Sequence, residues 1–375
     1  MRIGTPKETE AGETRVAVTP ETAKKFVGLG AEVVVASGAG LTAGFPDADY
    51  AAVGATLVDE AEALAADVVL KVRRPSAEEC GALKGGALVV AIQDPYGHIP
   101  EIEALAKAGV AAFAMELMPR ISRAQVMDVL SSQANLAGYR AVIDGAAEFG
   151  RALPMMMTPA GTVPAARAFI MGVGVAGLQA IATARRLGAI VTATDVRPAT
   201  KEQVESLGAK FVAVEDEEFK QAETAGGYAK EMSDAYKAKQ AALVAAHIAK
   251  QDIVITTALI PGRPAPKLVS AAMIASMRTG SVIVDLAVER GGNCDLAKAG
   301  ELAVSDNGVR IVGYSDVRRL AATASSLYAR NLYAFVETLI DKGEKRLAVK
   351  WDDELVKATL LTRDGAITHP NFKPN

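Results

Sequence analysis

Cysteine, histidine and aromatic residues are scarce in this sequence. Among its 375 residues there are two cysteines, Cys80 and Cys294, which are too few for a disulfide framework. The three histidines, His98, His247 and His369, lack the spacing of metal ligands. We therefore expect reduced thiols, a cytoplasmic location and no metal centre.

Strong charge and long apolar runs are also missing. The formal net charge is -3 without a dense basic segment, and no apolar run has the length of a transmembrane helix. The first residues lead directly into a strand-like segment, so we expect no signal peptide. These features argue against a nucleic-acid partner and against membrane insertion. Half of the residues are hydrophobic, which together with the chain length favours an α/β protein of two domains.

The motif with the clearest chemical meaning is one βαβ unit. It is predicted as a strand over 168–171, a tight turn over 172–177 (GVGVAG), a helix over 178–187 and a strand over 190–194. In such a unit Gly172 permits the turn, Gly174 lets a pyrophosphate approach the backbone, and Gly177 allows the helix to pack on the strand. The sequence therefore predicts dinucleotide binding, and the alternative is a glycine-rich packing turn.

Asp195 stands at the end of the second strand of this unit. A carboxylate there can accept both ribose hydroxyls of NAD and repels the 2′-phosphate of NADP. Arg197 favours the opposite specificity, because an arginine can accept that phosphate. We expect Asp195 to decide the specificity for NAD.

Helices and strands alternate along the rest of the chain, and a Leu-Gly-Ala hinge recurs at 29–31, 187–189 and 207–209. The predicted fold class is α/β, with two doubly wound Rossmann-like domains that have mainly parallel sheets and are joined by long helices. We expect an N-terminal domain of residues 1–126 and 311–375, to which the chain returns at its C-terminus. Residues 127–310 are predicted as the NAD(H)-binding domain.

A polar stripe between Arg120 and Ser131 is predicted to open a helix that runs to about Phe149. Gln125 and Asp128 are three residues apart and would share a helical face. Such a stripe is usually the solvated side of a helix. This one lies between the two predicted domains, where ligands often bind.

Arg15, Lys71 and Arg73 are candidates for a second polar site. Lys71 and Arg73 end a predicted strand, and the carboxyl ends of parallel strands line the ligand crevice of an open sheet. The alternative is that all three are solvated surface charges.

Several longer segments carry a family resemblance along the chain. They are TRVAVTP from Thr14, LKV at 70–72, MELMPRISR at 115–123, GVGVAG at 172–177 and DLAV from Asp285. These motifs resemble the alanine dehydrogenase and nicotinamide nucleotide transhydrogenase family, and segments 115–138 and 222–230 are similar to its transhydrogenase branch. The resemblance implies an NAD(H)-binding subunit of a proton-translocating NAD(P) transhydrogenase. It further implies a homodimer on membrane-spanning partner subunits that carry NADP(H), at the inner face of the cell membrane.

The resemblance also implies a set of site residues. Arg120, Gln125, Asp128 and Ser131 would orient the nicotinamide, with Gln125, Arg120 and Asp128 as the catalytic residues. The other implied cofactor contacts are Ile121, Ser122, Arg123, Gly172, Gly174, Val175, Ala176, Gly177, Asp195, Val196, Arg197, Gly227, Tyr228, Gln240 and Leu259. Val175 and Gly177 would contact the pyrophosphate, and Gly227 and Tyr228 would belong to a mobile loop that closes over NAD.

Two other functions are compatible with parts of the sequence. A soluble alanine dehydrogenase would use Arg15 and Lys71 on its substrate and would need a general acid, typically histidine. The sequence has Gln93 and Asp94 where the resemblance leads us to expect that histidine, and Glu289 where it leads us to expect an aspartate. An NAD-sensing module without chemistry would leave the polar stripe unexplained.

Overall fold

The computed structural model describes residues 1–221, 232–260 and 262–373. The chain divides into two compact units. Unit 1 is Met1–Gln133 with Arg318–Asn375, and unit 2 is Ala134–Val317. The divisions predicted from the sequence fall after residues 126 and 310. The first observed division lies inside a continuous helix, Val129–Glu148, where no change of composition marks it.

The strands of the described residues are β1 (Arg2–Thr5), β2 (Glu32–Ala36), β3 (Thr56–Val58), β4 (Val68–Arg73), β5 (Leu88–Ile92), β6 (Ala111–Ala114), β7 (Met156–Thr158), β8 (Gly161–Val163), β9 (Arg167–Met171), β10 (Ile190–Thr194), β11 (Lys210–Phe211), β12 (Ile253–Thr256), β13 (Val282–Asp285), β14 (Leu302–Val304), β15 (Arg310–Val312), β16 (Ile340–Asp341), β17 (Arg346–Leu347), β18 (Leu360–Arg363) and β19 (Ala366–Ile367).

The α-helices of the described residues are α1 (Pro20–Gly28), α2 (Asp47–Ala52), α3 (Glu60–Leu64), α4 (Ala77–Ala82), α5 (Ile99–Lys107), α6 (Val129–Glu148), α7 (Val175–Arg186), α8 (Thr200–Ser206), α9 (Glu217–Lys220), α10 (Asp234–Ile248), α11 (Ala271–Ser276), α12 (Ala321–Glu337) and α13 (Glu354–Thr359). Short 3-10 turns cover Leu41–Ala43, Met115–Leu117, Ser122–Met127, Val288–Arg290 and Val317–Leu320. None of the helices in the described ranges is both long and apolar enough to cross a bilayer.

Unit 1 is built on a sheet with the strand order β19-β18-β6-β5-β4-β1-β2-β3. Strands β1 to β6 are parallel, and β18 and β19 extend one edge in antiparallel pairing. The order reverses between β1 and β4, and open α/β sheets bind ligands at the carboxyl ends of the strands that flank such a reversal. One continuous core fills this unit.

Unit 2 is built on a sheet with the order β11-β10-β9-β12-β13-β15-β14, in which only the edge strand β14 is antiparallel. Alternate residues of β9 enter two cores: Ala168 and Ile170 belong to one, and Phe169 and Met171 to the other. A sheet buried on both faces is the doubly wound arrangement. The predicted fold class is thereby confirmed, and the reversal between β9 and β12 places the glycine turn at the ligand edge of the sheet.

Candidate functional site

Three glycines shape the turn that follows β9. Gly172 has φ +100°, and a Cβ on it would lie 2.6 Å from Oγ1 of Thr257. A Cβ on Gly177 would lie 1.9 Å from the carbonyl oxygen of Gly172, so α7 packs directly on the turn. A Cβ on Gly174 would meet nothing within 4 Å. Packing therefore requires the first and third glycines, while the second borders open space where a ligand can approach the backbone.

The N-terminus of α7 lies beside this open space. Its N-cap residue, Gly174, has no side chain that could accept a hydrogen bond from the first turn of the helix. A Cβ on Gly138 would lie 2.0 Å from the carbonyl oxygen of Ala176, so α6 packs closely on that turn. The helix begins at Val175 rather than at the predicted Leu178, because the second half of the glycine motif is already helical. A helix N-terminus with unused N–H groups favours an anionic ligand.

The carboxylate of Asp195 binds the backbone of the glycine turn. Its Oδ2 accepts a hydrogen bond from the backbone nitrogen of Val173 at 2.7 Å, and its Oδ1 accepts one from the backbone nitrogen of Arg197 at 2.9 Å. The Arg197 guanidinium donates to both oxygens, with Nε 2.9 Å from Oδ1 and Nη2 3.1 Å from Oδ2. The Asp195 side chain is 7% exposed and that of Arg197 31%. The two residues that were predicted to decide specificity thus form one hydrogen-bonded group on the turn.

Gln240, in α10, lies close to the same strand end. Its Oε1 accepts a hydrogen bond from the backbone nitrogen of Val214 at 2.9 Å, and its Nε2 donates to Oγ1 of Thr194 at 3.2 Å. Val196 and Leu259 expose their apolar side chains, Leu259 by 53%. Gly227 and Tyr228 lie outside the described residues.

The predicted polar stripe lies in unit 1, but it does not form one helix. Ser122–Met127 is a 3-10 turn, Asp128 is extended with ψ 90°, and α6 starts only at Val129. The prediction that Gln125 and Asp128 share a helical face is therefore wrong. Asp128 instead caps α6, since Oδ1 accepts from the backbone nitrogen of Ser131 at 2.9 Å and Oδ2 from its hydroxyl at 2.5 Å.

The other members of the stripe have different surroundings. Arg120, Ser122 and Gln125 are exposed, and Ile121 packs partly against the core of unit 1. Arg123 makes a two-pronged ion pair with Asp353, at 2.7 and 2.9 Å, so a protein carboxylate already engages its guanidinium.

Arg15 and Lys71 are buried, 4% and 0% exposed, so the alternative that they are surface charges is wrong. Nε and Nη2 of Arg15 donate to Glu13 at 2.7 and 2.6 Å, and Nη1 donates to Oε1 of Gln133 at 2.9 Å. Nζ of Lys71 donates to Oε1 of Glu79 at 2.7 Å. Burial would raise the pKa of Glu13, but the hydrogen bonds and charge of Arg15 hold that pKa below its usual value. Arg73, partly exposed, lies 3.1 Å from the same carboxylate.

Two buried glutamates that sequence reasoning missed hold the ends of β4 and β5. Glu8 accepts hydrogen bonds from the backbone nitrogens of residues 72 and 73, at 2.6 and 3.2 Å. Glu116 accepts from the backbone nitrogens of residues 93 and 94. Burial raises the pKa of each carboxyl to about 7, against the opposing effect of these hydrogen bonds. Nothing local in the sequence distinguishes them from the many exposed glutamates.

Gln93 follows β5 and is fully buried. Within the described part of the chain its side-chain amide has no hydrogen-bond partner. His98 lies one helical turn further on, where its Nδ1 is 2.8 Å from the carbonyl oxygen of Asp94. Glu289 lies in the 3-10 turn after β13. The place expected for a catalytic histidine thus holds an amide, which does not exchange protons near neutral pH.

Two doubly wound units, a glycine turn at one strand-order reversal and an acid after the next strand define a two-unit α/β protein of the dinucleotide-binding class. Residues 4–137 match the family model "Alanine dehydrogenase/PNT, N-terminal domain", and residues 141–370 match "Alanine dehydrogenase/PNT, C-terminal domain". The chain belongs to this alanine dehydrogenase/PNT family, which confirms the resemblance seen in the sequence.

Similar proteins come from both branches of the family. The chain is 58% identical to the first of the chains that make up NAD(P) transhydrogenase subunit alpha in Rhodospirillum rubrum, over 99% of this chain and 98% of that protein. A solved transhydrogenase structure from Sinorhizobium meliloti is 60% identical with a TM-score of 0.90, over 98% of this chain and 100% of that one. A solved L-alanine dehydrogenase is 26% identical with a TM-score of 0.81, over 99% and 98% of the two chains.

Proposed function

We propose that this chain is the NAD(H)-binding subunit of a proton-translocating NAD(P) transhydrogenase. It passes hydride from NADH to NADP+ held on a partner subunit, and the transfer is coupled to proton movement. The observation that carries the proposal is 58% identity, over almost the full length of both chains, to a protein named as a transhydrogenase subunit. The alanine dehydrogenase structure shares the fold at 26% identity.

Unit 2 holds the adenosine and pyrophosphate part of the nucleotide in this proposal. The open space at Gly174 and the N-terminus of α7 fit a pyrophosphate, with Val175, Ala176 and Gly177 around it. Asp195, supported by Arg197, accepts the ribose hydroxyls. Val196, Gln240 and Leu259, with Gly227 and Tyr228, complete the proposed contacts.

The segment from Arg120 to Ser131 orients the nicotinamide in this proposal. Bound NADH supplies the hydride from its nicotinamide ring. Transfer between two nicotinamides needs close approach and exclusion of water but no general acid or base, because no proton moves at either carbon. The exposed Arg120 and Gln125 and the bonded pair Asp128–Ser131 provide polar groups for positioning. Ile121, Ser122 and Arg123 form the adjoining wall.

The alanine dehydrogenase alternative requires a group that this chain lacks at the expected place. Reductive amination of a 2-oxo acid needs a positioned acid near the carbonyl, which commonly contributes about 10²–10⁴-fold to the rate. Gln93 cannot fill that role, although Arg15 and Lys71 are both retained. This difference supports hydride transfer between nucleotides over amino-acid chemistry.

The proposal includes a homodimer that associates peripherally with membrane-spanning partners at the inner face of the cell membrane. Strands β7 and β8 form an isolated hairpin in unit 2 whose residues are all exposed. Met155 and Met157, at 62% and 71% exposure, are among its apolar side chains. A lone hairpin is marginally stable in water, and clustered exposed apolar side chains mark contact surfaces. This hairpin supports the association of two copies.

The function can be tested with the purified chain. We expect hydride transfer from NADH to an NADP+ analogue, followed by absorbance, only when a heterologous NADP(H)-binding transhydrogenase domain is added. Alanine-dependent reduction of NAD+ by the chain alone would overturn the proposal in favour of the dehydrogenase. Tight NADH binding without transfer to any such domain would favour the sensor.

A further inference from the structure

Asn293 is a fully buried side chain in unit 2 that none of the proposed contacts includes. Its Oδ1 accepts a hydrogen bond from the backbone nitrogen of Ala258 at 3.1 Å, and its Nδ2 donates to the carbonyl oxygen of Ala258 at 2.9 Å. The same Nδ2 donates to the carbonyl oxygen of Pro266 at 2.8 Å. One amide thus satisfies both backbone groups of Ala258, as a neighbouring strand would.

Ala258 lies directly against the glycine turn. A Cβ on Gly172 would lie 3.2 Å from the backbone nitrogen of Ala258 and 2.6 Å from Oγ1 of Thr257. That hydroxyl donates to the carbonyl oxygen of Gly172 at 3.0 Å. Asn293, Ala258, Thr257 and Gly172 therefore form one connected path from the loop after β13, through the loop after β12, to the turn after β9.

Asp285 holds Asn293 in place from the end of β13. This fully buried carboxylate accepts hydrogen bonds from the backbone nitrogens of Ala287 at 2.8 Å and Cys294 at 2.9 Å. Gly292, with φ +73°, precedes Asn293, and a Cβ on it would lie 2.9 Å from Oδ2 of Asp285. The backbone that presents the Asn293 side chain is thus determined by Asp285, and a side chain at position 292 would disturb it.

We propose that Asn293 is a positioning residue for the dinucleotide site. It holds residues 257–259 against the glycine turn and thereby sets the backbone that receives the pyrophosphate, together with the exposed side chain of Leu259. This inference rests on the proposed nucleotide site but adds a residue that makes no contact with nucleotide itself. A buried amide that satisfies a loop backbone is costly to remove, because the freed N–H and C=O groups then lack partners.

The test compares Asn293→Ala with the wild-type chain by titration of NADH fluorescence. We expect the Kd for NADH to rise about 10-fold, because a displaced turn loses phosphate contacts. Adenosine, measured by displacement of NADH, has no phosphate and depends on the Asp195 side of the site. Its Kd should stay within about twofold of the wild-type value. Equal weakening of NADH and adenosine, or unchanged NADH binding, would overturn the positioning role.

Asn307→Ala is the matched control in the same unit. Its Nδ2 donates to the carbonyl oxygens of Ile274, Ala275 and Met277, at 3.1, 3.3 and 3.0 Å, between the end of α11 and the start of β13. This variant also removes hydrogen bonds to a loop, but at the amino edge of the sheet. We expect a lowered Tm with an unchanged Kd for NADH; a weakening equal to that of Asn293→Ala would show that the effect is general destabilisation.

Amide hydrogen exchange separates this inference from the function on which it rests. Without nucleotide, residues 257–259 and the glycine turn should exchange faster in Asn293→Ala than in the wild type, whether or not the chain binds NADH. Unchanged exchange there would refute the inference. If Asn293→Ala does not fold, Asn293→Asp keeps the acceptor for Ala258 N–H and replaces the two bonds donated by Nδ2, so the same exchange difference is expected. Failure of the wild type to bind NADH, with exchange altered as expected, would refute only the proposed function.

Discussion

Replacement of Asp195 by asparagine tests both the nucleotide site and the reason for its specificity. The carboxylate already receives four donors in this structure: the backbone nitrogens of Val173 and Arg197, and Nε and Nη2 of Arg197. A carboxylate has about four positions for hydrogen bonds, so ribose hydroxyls must displace part of the Arg197 guanidinium. Arg197 is 31% exposed and can turn into water at little cost.

The size of the effect follows from this competition. A hydrogen bond to a charged group contributes about 1.5–3 kcal/mol. Because ribose exchanges for Arg197 rather than for water alone, we expect the lower end, about 1.5 kcal/mol, or roughly a 10-fold rise in the Kd for NADH. Asparagine also releases Arg197 from the negative charge. Discrimination against NADPH should therefore fall, because the free guanidinium can accept the 2′-phosphate.

Asp252→Asn provides a control at the other end of β9. Asp252 is also an acid that accepts a backbone hydrogen bond from this strand, from the nitrogen of Arg167 at 2.8 Å, and it pairs with Arg278 at 3.2 Å. Calorimetric titration with NADH and NADPH should show normal affinities for this variant. Unchanged NADH affinity and selectivity in Asp195→Asn, or an equal loss in Asp252→Asn, would refute the assignment of the ribose site.

Three further predictions address the chemistry, the packing and the pH dependence. Gln125→Asn should slow hydride transfer to an added NADP(H) domain far more than it weakens NADH binding, because a shorter side chain misplaces the nicotinamide; equal losses in single-turnover rate and Kd would contradict this. Gly177→Ala would place a Cβ 1.9 Å from the carbonyl oxygen of Gly172, so urea unfolding should show a loss of about 3 kcal/mol, and a near-neutral result would be incompatible with this packing. The pKa of Glu116 is raised to about 7, so the folded state binds more protons than the unfolded state between about pH 4.5 and 7, and stability falls as the pH rises through that window. Glu116→Gln should remove this fall, worth up to about 3 kcal/mol, when urea unfolding is compared at pH 5 and pH 8; a pH dependence identical to that of the wild type would refute it.

The sequence alone was sufficient for the βαβ unit, because its signals are local. The strand predicted over 190–194 is β10, and the glycine turn ends in the predicted helix, only with an earlier start. Thr19 and Pro20 likewise marked the start of α1 through the chemistry of helix ends. Alternating helices and strands then led to the two doubly wound sheets, since short crossovers between parallel strands leave few other topologies.

The polar stripe shows where local reasoning failed. Spacing alone made Gln125 and Asp128 neighbours on one helix, but Asp128 ends the 3-10 turn and caps α6 through Ser131. Aspartate competes with the helical backbone for hydrogen bonds, so the same residue can lie within a helix or stop one. Spacing does not indicate which of these occurs.

The buried polar groups were decided only by the tertiary structure. Lys71 reads as a surface charge in sequence, yet it is fully buried because Glu79 meets it at 2.7 Å. Asn293 is an ordinary residue after two glycines until the fold brings Ala258, 35 positions away, against its amide. Periodicity predicts which apolar residues leave water, because burial of apolar surface is favourable wherever it occurs. Whether a polar group can be buried depends on partners from other segments, and only the folded chain brings those partners within hydrogen-bond distance.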